Sequence, residues 1–201
     1  MSLPTLTPEP PRPASAANPK SVGGGASTYV NFINHLDVDA KVFWFDYSGA
    51  RALYATLKPG VTRRQQTYIG HPWEVSAETQ YFKLQPTFLP LNSESKVIIN
   101  KSLMPTLAPQ LPIDNLHSVD GGVSTYIDFV NNLDTEIKTH WVDYDGKRVL
   151  YSSIQPGSSF RQQTYVGHPW EVTISSRTSP IAVFHPAEYE ALAVLDRDVI
   201  H

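Results

Sequence analysis

The chain repeats itself. The segment STYVNFINHLDVDAKVFWFDYSGARALYATLKPGVTRRQQTYIGHPWEV begins at Ser27, and STYIDFVNNLDTEIKTHWVDYDGKRVLYSSIQPGSSFRQQTYVGHPWEV begins 97 residues later at Ser124. The two align without a gap, and 28 of the 49 positions are identical. Copies this close must fold alike, so the chain is a tandem array rather than one large domain. A period of 97 residues suits a compact module of about 75 to 80 residues and a connection, within the size range of small domains.

Inside each copy the pattern alternates at period two and is dense in β-branched and aromatic residues, as in Tyr29-Val30-Asn31-Phe32-Ile33-Asn34 and Lys41-Val42-Phe43-Trp44-Phe45-Asp46. Such stretches are strands. Turn signals interrupt them at short intervals: Tyr47-Ser48-Gly49, Lys58-Pro59-Gly60 and Gly70-His71-Pro72, then Asp145-Gly146, Gln155-Pro156-Gly157 and Gly167-His168-Pro169. Seventeen prolines and a charged fraction of only 17% favour turns and edges over surface helices. The expected class is all-β, two tandem sandwiches or barrels. Phe82, Phe88-Leu89-Pro90 and Lys96-Val97-Ile98-Ile99-Asn100 supply the closing strands of the first copy, and Ile181–Phe184 and Ala191–Leu195 those of the second. His185-Pro186-Ala187-Glu188-Tyr189-Glu190 could start a short helix.

The organisation then reads as follows: residues 1–26 a disordered Pro/Ala/Ser/Gly-rich tail, 27–104 the first module, 105–122 a Pro-rich linker, and 123–201 the second module. Tail and linker are too poor in apolar side chains to offset their own chain entropy. The tail is either a flexible leader or a proline-rich ligand for a domain that reads polyproline II helices.

Several function classes drop out. A net charge of -3, with no Lys/Arg run longer than two, gives no basic stripe for nucleic acid. With no cysteine, thiolate catalysis and Cys-ligated zinc are excluded. The seven histidines lack metal-ligand spacing, and no P-loop or dinucleotide fingerprint is present. No metal or cofactor is expected, and no serine stands near His71 in sequence to make a hydrolytic pair. The expectation is a non-enzymatic protein. The N-terminus has no basic start and apolar run, and no stretch of about 18 apolar residues exists. A soluble protein of the cytoplasm or nucleus is therefore expected, with no membrane partner.

The string from Trp44 to Trp73, W-x-D-Y-x-G, then Y-A-T-L-K-P-G, then R-R-Q-Q-T-Y-I-G-H-P-W, resembles the β-domain of the von Hippel-Lindau tumour suppressor family, and both copies carry it. The resemblance implies a seven-stranded β-sandwich that binds an extended peptide bearing 4-hydroxyproline along a sheet edge. In the family's best-known member this module selects substrates for a ubiquitin ligase. Carried over, the pocket residues are Trp44, Tyr54, Thr67, Tyr68, His71 and Trp73, matched in the second copy by Trp141, Tyr151, Thr164, Tyr165, His168 and Trp170. These residue types suit the task. Trp and Tyr give a pyrrolidine ring rigid apolar walls. A threonine hydroxyl and a neutral imidazole can together donate to and accept from the one added hydroxyl, and Tyr54 would hold a peptide carbonyl. The family has Ser where Thr67 and Thr164 stand, and His where Gln66 and Gln163 stand; Phe160 replaces Arg63 between the copies. That ligase member also carries a helical adaptor-binding segment with a cysteine, which this sequence does not match, so direct elongin binding is not implied. The expected partner is a hydroxyproline-bearing or proline-rich peptide, engaged by both copies.

Two other readings fit the same residues. The repeated faces could serve only assembly, with no small pocket, or the Trp and Tyr platforms could hold sugar rings. Sealing of His71, Tyr54 and Thr67 in the core would favour assembly.

Overall fold

Alternation in sequence becomes alternation in burial. In β1 (Ser27–Asn34) the side chains of Thr28, Val30, Phe32 and Asn34 point inward, and in β9 (Ser124–Asn131) Thr125, Ile127, Phe129 and Asn131 do the same, as one buried sheet face demands. A computed structural model describes residues 2–13, 15–79 and 82–199 as two units, 1–104 and 105–201. Met1, Ala14, Gln80, Tyr81, Ile200 and His201, which fall within the expected tail and modules, lie outside the described residues.

The first unit continues with β2 (Ala40–Phe45), β3 (Arg51–Leu57), β4 (Thr62–Tyr68), β5 (Trp73–Glu78), β6 (Lys83–Leu84), β7 (Thr87–Phe88) and β8 (Ser95–Ile99). One sheet has the order β4-β1-β8, with β1 and β8 parallel; the other runs β3-β2-β5-β6, with β7 also on β5. The second unit has β10 (Ile137–Val142), β11 (Arg148–Ile154), β12 (Ser159–Tyr165), β13 (Trp170–Ile174), β14 (Ala182–Phe184) and β15 (Ala191–Leu195). Its sheets are β12-β9-β15 and β11-β10-β13-β14. That makes seven strands, the number the resemblance implies. β7 with Pro86 before it matches β14, since Thr87 and Phe88 face Glu74 and Trp73 as Val183 and Phe184 face Glu171 and Trp170; β6 lies further along β5, opposite Ala77 and Glu78. Pro86 has no N–H for the ladder, yet its carbonyl still accepts from Val75 N–H at 3.1 Å.

Each unit has its own core. Val30, Phe32, Trp73, Val75, Phe88, Val97 and Ile99 fill the first, and Ile127, Phe129, Trp170, Val172, Phe184 and Leu195 the second. A fully buried asparagine braces each. Asn34 Nδ2 donates to the carbonyls of Val38 and Leu57 at 2.8 and 2.9 Å, and its Oδ1 accepts from Leu36 N–H at 3.0 Å. Asn131 repeats all three bonds with Thr135, Ile154 and Leu133.

The stretches expected to be a disordered tail and a free linker are packed instead. Leu6 is buried; its N–H donates to the Lys96 carbonyl at 2.8 Å, Lys96 N–H donates to Pro4 at 2.9 Å, and Glu9 N–H donates to Thr87 at 2.8 Å. The segment thus ties β8 of one sheet to β7 of the other. In the second unit Leu107 N–H donates to Leu192 at 2.8 Å, and Gln110 exchanges two bonds with Val183. Further along, Ser21 and Ser118 are buried, and their hydroxyls donate to the carbonyls of Phe45 and Val142 at 2.5 Å. A proline-rich segment is poor at nucleating structure, but its preset extended φ and missing donors suit an outermost strand whose partner edge already exists. The boundary between the units falls at Met104 and Pro105, so residues 105–122 belong to the second unit. His185–Glu190 forms no helix; it is an irregular connection between β14 and β15. No helix among the described residues is long and apolar enough to cross a membrane.

Candidate ligand-binding site

A β-bulge sets the site. Across β2 and β3 the register runs Val42 to Ala55 and then Phe43 to Leu53, so Tyr54 is the extra residue with no partner. Across β10 and β11 it runs Thr139 to Ser152 and then His140 to Leu150, which leaves out Tyr151. A bulge re-aims the side chain that it frees. Tyr54 lands on Trp73 with ring centroids 5.0 Å apart and on Trp44 at 6.0 Å; Tyr151 lands on Trp170 at 5.0 Å and on Trp141 at 6.5 Å.

The remaining expected residues gather on the same ring cluster. His71 lies 5.5 Å from Trp44 and 5.3 Å from Tyr68; His168 lies 5.4 Å from Trp141 and 5.3 Å from Tyr165. All six candidates of each copy are therefore brought together, at different depths. Tyr54 (45% exposed) and Tyr68 (43%) form the rim, as do Tyr151 and Tyr165. Trp44 and Trp141 are half-buried walls. Trp73 and Trp170 are core residues, 2% exposed, on which Tyr54 and Tyr151 pack.

Each threonine already has a partner. Thr67 is 2% exposed, and its Oγ1 accepts from Trp73 Nε1–H at 2.8 Å; Thr164 does the same for Trp170 at 2.8 Å. A hydroxyl that accepts still has its own proton to give. The arrangement is thus intermediate between an open concavity and a sealed core: a surface-exposed aromatic rim over a closed threonine–tryptophan floor.

One member escaped the sequence reading. Tyr47 Oη lies 3.2 Å from His71 Nε2, and Tyr144 Oη 3.1 Å from His168 Nε2, with the tyrosine rings edge-on to the imidazoles. The signal was present, because W-x-D-Y-x-G occurs in both copies, but Tyr47 stood there only as part of the turn Tyr47-Ser48-Gly49. The aspartate before it builds that turn. Asp46 Oδ1 accepts from Ser48 N–H, Ser48 Oγ–H and Ala50 N–H, bonds that hold its pKa below the usual carboxylate value, the Ser48 side chain contributing most. Asp143 accepts from Asp145 and Lys147 N–H. The aspartate shapes the turn, and the turn presents the tyrosine.

Burial lowers the pKa of both histidines below 6.5, so the imidazoles are neutral at neutral pH. A neutral imidazole has one N–H and one bare nitrogen; with Nε2 shared with a tyrosine hydroxyl, Nδ1 takes the complementary role. The copies differ at one point. Trp141 Nε1–H donates to Ser118 Oγ at 2.7 Å, whereas Trp44 Nε1 is buried with no partner among the described residues.

Residues 20–83 and 116–185 match the family model described as VHL beta domain. The matched segments start at Lys20 and Leu116, just ahead of the buried Ser21 and Ser118 and upstream of the strands. No curated protein matches the sequence. Among solved structures the chain is similar to the Bacillus anthracis TIE protein (12% identity, TM-score 0.29, 85% of this chain and 34% of that one). It is also similar to Lac15 from a marine microbial metagenome (15% identity, TM-score 0.23, 80% and 54%). The chain thus spans about a third and about half the length of those two proteins.

Proposed function

The chain belongs to the von Hippel-Lindau β-domain family, and from that premise we propose that it is a non-enzymatic recognition protein whose two aromatic clusters each bind an extended peptide carrying 4-hydroxyproline, or one rich in proline. In that role it would select proteins for ubiquitination. The observation that carries the reading is the duplicated cluster itself: Tyr54 on its bulge, Trp44, Tyr68 and Tyr47 around a neutral His71, repeated ring for ring in the second unit. Side chains serving only the fold would not leave three tyrosines per copy at 42 to 58% exposure around a histidine that shares a hydrogen bond with one of them. A proline ring fits against such faces, and the extended backbone can pair with an edge strand such as β4 or β12.

Discrimination follows from what an unmodified proline leaves unpaired. A buried donor or acceptor without its partner costs about 1 to 3 kcal/mol, and polar sites reject an analogue lacking the hydroxyl by up to about 10⁴. The proposal is tested by titrating the ¹⁵N-labelled full chain with twin peptides that differ only in the 4-hydroxyl, reading the indole N–H signals of Trp44 and Trp141. The reading expects both to shift with the hydroxylated twin. If neither twin moves them, it is lost, and assembly through these faces or sugar binding on them takes its place.

A further inference from the structure

The second unit has a cavity unrelated to the aromatic cluster. It measures about 250 Å³ and is lined by Lys138, His140, Arg148, Ser175, Arg177 and Thr178, among others. Lys138 and His140 come from one face of β10, opposite Thr173 and Glu171 of β13. The segment after β13 turns over that face: Ser175 N–H donates to the Glu136 carbonyl at 3.2 Å and Arg177 N–H to Ile174 at 3.0 Å.

We propose that this groove binds a small oxyanion, a phosphate or a phosphate monoester, between Lys138, Arg148 and Arg177. Three cations converge on it, and only one of them is neutralised: Arg148 is ion-paired with Glu171 and donates to the Thr178 carbonyl at 3.0 Å. Lys138 and Arg177 have no ion pair among the described residues. The carboxylates nearby are already engaged, Glu171 by Arg148 and Glu136 by Gln155 and Ser175 at 2.6 and 3.0 Å. His140 lines the groove from β10, with its Nδ1 buried away from solvent rather than open to the anion. Burial and then the Arg148 charge hold its pKa below 6.5. Hydroxyls of Thr173 and Thr178 add donors.

The first unit shows that the fold does not demand this arrangement. Lys41 and Arg51 occupy the matching positions, but Phe43 stands in place of His140 and Glu78 in place of Ser175. Arg51 stacks over the Phe43 ring at 4.0 Å, and Glu74 is ion-paired with both Arg51 and Arg12. The second unit thus lacks the apolar ring and the acid that the first carries at these positions, and is the more cationic there. The cavity is slightly smaller than the roughly 300 to 1,000 Å³ of drug-sized sites, so a phosphate with at most a short carrier fits.

The test is an NMR titration of the ¹⁵N-labelled full chain with inorganic phosphate and, separately, with O-phosphoserine, at ionic strength held constant with chloride. Saturable shifts at Thr173, Ser175, Arg177 and Thr178 are expected with one or both, and the tighter of the two identifies the source. The double variant His140→Phe/Ser175→Glu, which installs the first unit's residues, should weaken that binding at least tenfold while leaving the rest of the spectrum in place. Absence of saturable shifts with both anions, equal shifts around Lys41 and Ser76, or binding that survives the double variant would each overturn the proposal.

Discussion

Replacing Thr67 with valine removes one oxygen from the floor of the site and almost nothing else in shape. That oxygen is the acceptor for Trp73 Nε1–H at 2.8 Å, and both residues are 2% exposed, so water cannot step in. The indole N–H is then a buried donor without a partner, at a cost of about 1 to 3 kcal/mol. For a unit of about 100 residues each kcal/mol lowers Tm by roughly 4 to 8 °C, so a fall of at least about 4 °C is expected. Urea unfolding of the full chain, followed by circular dichroism, measures the loss directly. Thr67→Ser keeps the acceptor and should lose much less. A double-mutant cycle with Trp73→Phe isolates the bond, with coupling of about 1 kcal/mol expected for neighbours that share it. A loss for Thr67→Val below about 0.5 kcal/mol, the usual size of neutral changes, together with coupling near zero, would refute the reasoning.

Three further outcomes follow from the packing and the charges. Gly122→Ala places a Cβ 1.7 Å from the Val166 carbonyl oxygen, a clash only backbone movement relieves; unfolding should show the second unit weakened by about 1 to 3 kcal/mol or more, and an unchanged midpoint would contradict that approach. Asn131→Ala deletes three hydrogen bonds, two of them buried, and should destabilise the same unit by at least about 2 kcal/mol, since each stranded buried group costs about 1 to 3 kcal/mol; loss of less than half of that counts against the brace. Burial lowers the pKa of His71, His140, His168 and His185 below 6.5, so near and below that pH the unfolded chain binds more protons than the folded one. Stability is then greatest above about pH 6.5 and falls as pH drops below it. Glu74, raised by burial against the pull of Arg51, acts in the opposite sense. Urea midpoints lower at pH 5.5 than at pH 7.5 are expected; equal or higher midpoints at pH 5.5 would refute the histidine assignment.

Much of this architecture was legible in the sequence, because period-two burial and turn residues are local signals. Val30, Phe32 and Phe129 could be placed in a core from alternation alone, and the repeat made the second unit readable from the first. The site residues came together because the resemblance fixed their positions, yet their depth did not follow. Whether Thr67 faces a ligand or a tryptophan depends on how the two sheets pack. The bulge that frees Tyr54 is a mismatch between two strands, invisible within either one. Tyr47 reads in sequence only as a turn residue ahead of Gly49. The tail was misread because composition measures what a segment can bury by itself, whereas Leu6 and Ser21 borrow an edge and a carbonyl built by residues far along the chain. The parallel Ser21-Val22 and Ser118-Val119, each followed by paired glycines and then Ser-Thr-Tyr, marked that the repeat begins upstream of the strands.

The central claim is that each unit reads the hydroxyl of a peptide proline. Calorimetric titration of the full chain with the hydroxylated peptide and its proline twin tests it most directly, alongside His71→Ala, His168→Ala and the double variant. The account predicts two peptides bound per chain, a preference of at least tenfold for the hydroxylated twin, one site lost with each single substitution and both with the double. Equal binding of the twins, or binding that persists in the double variant, would contradict it.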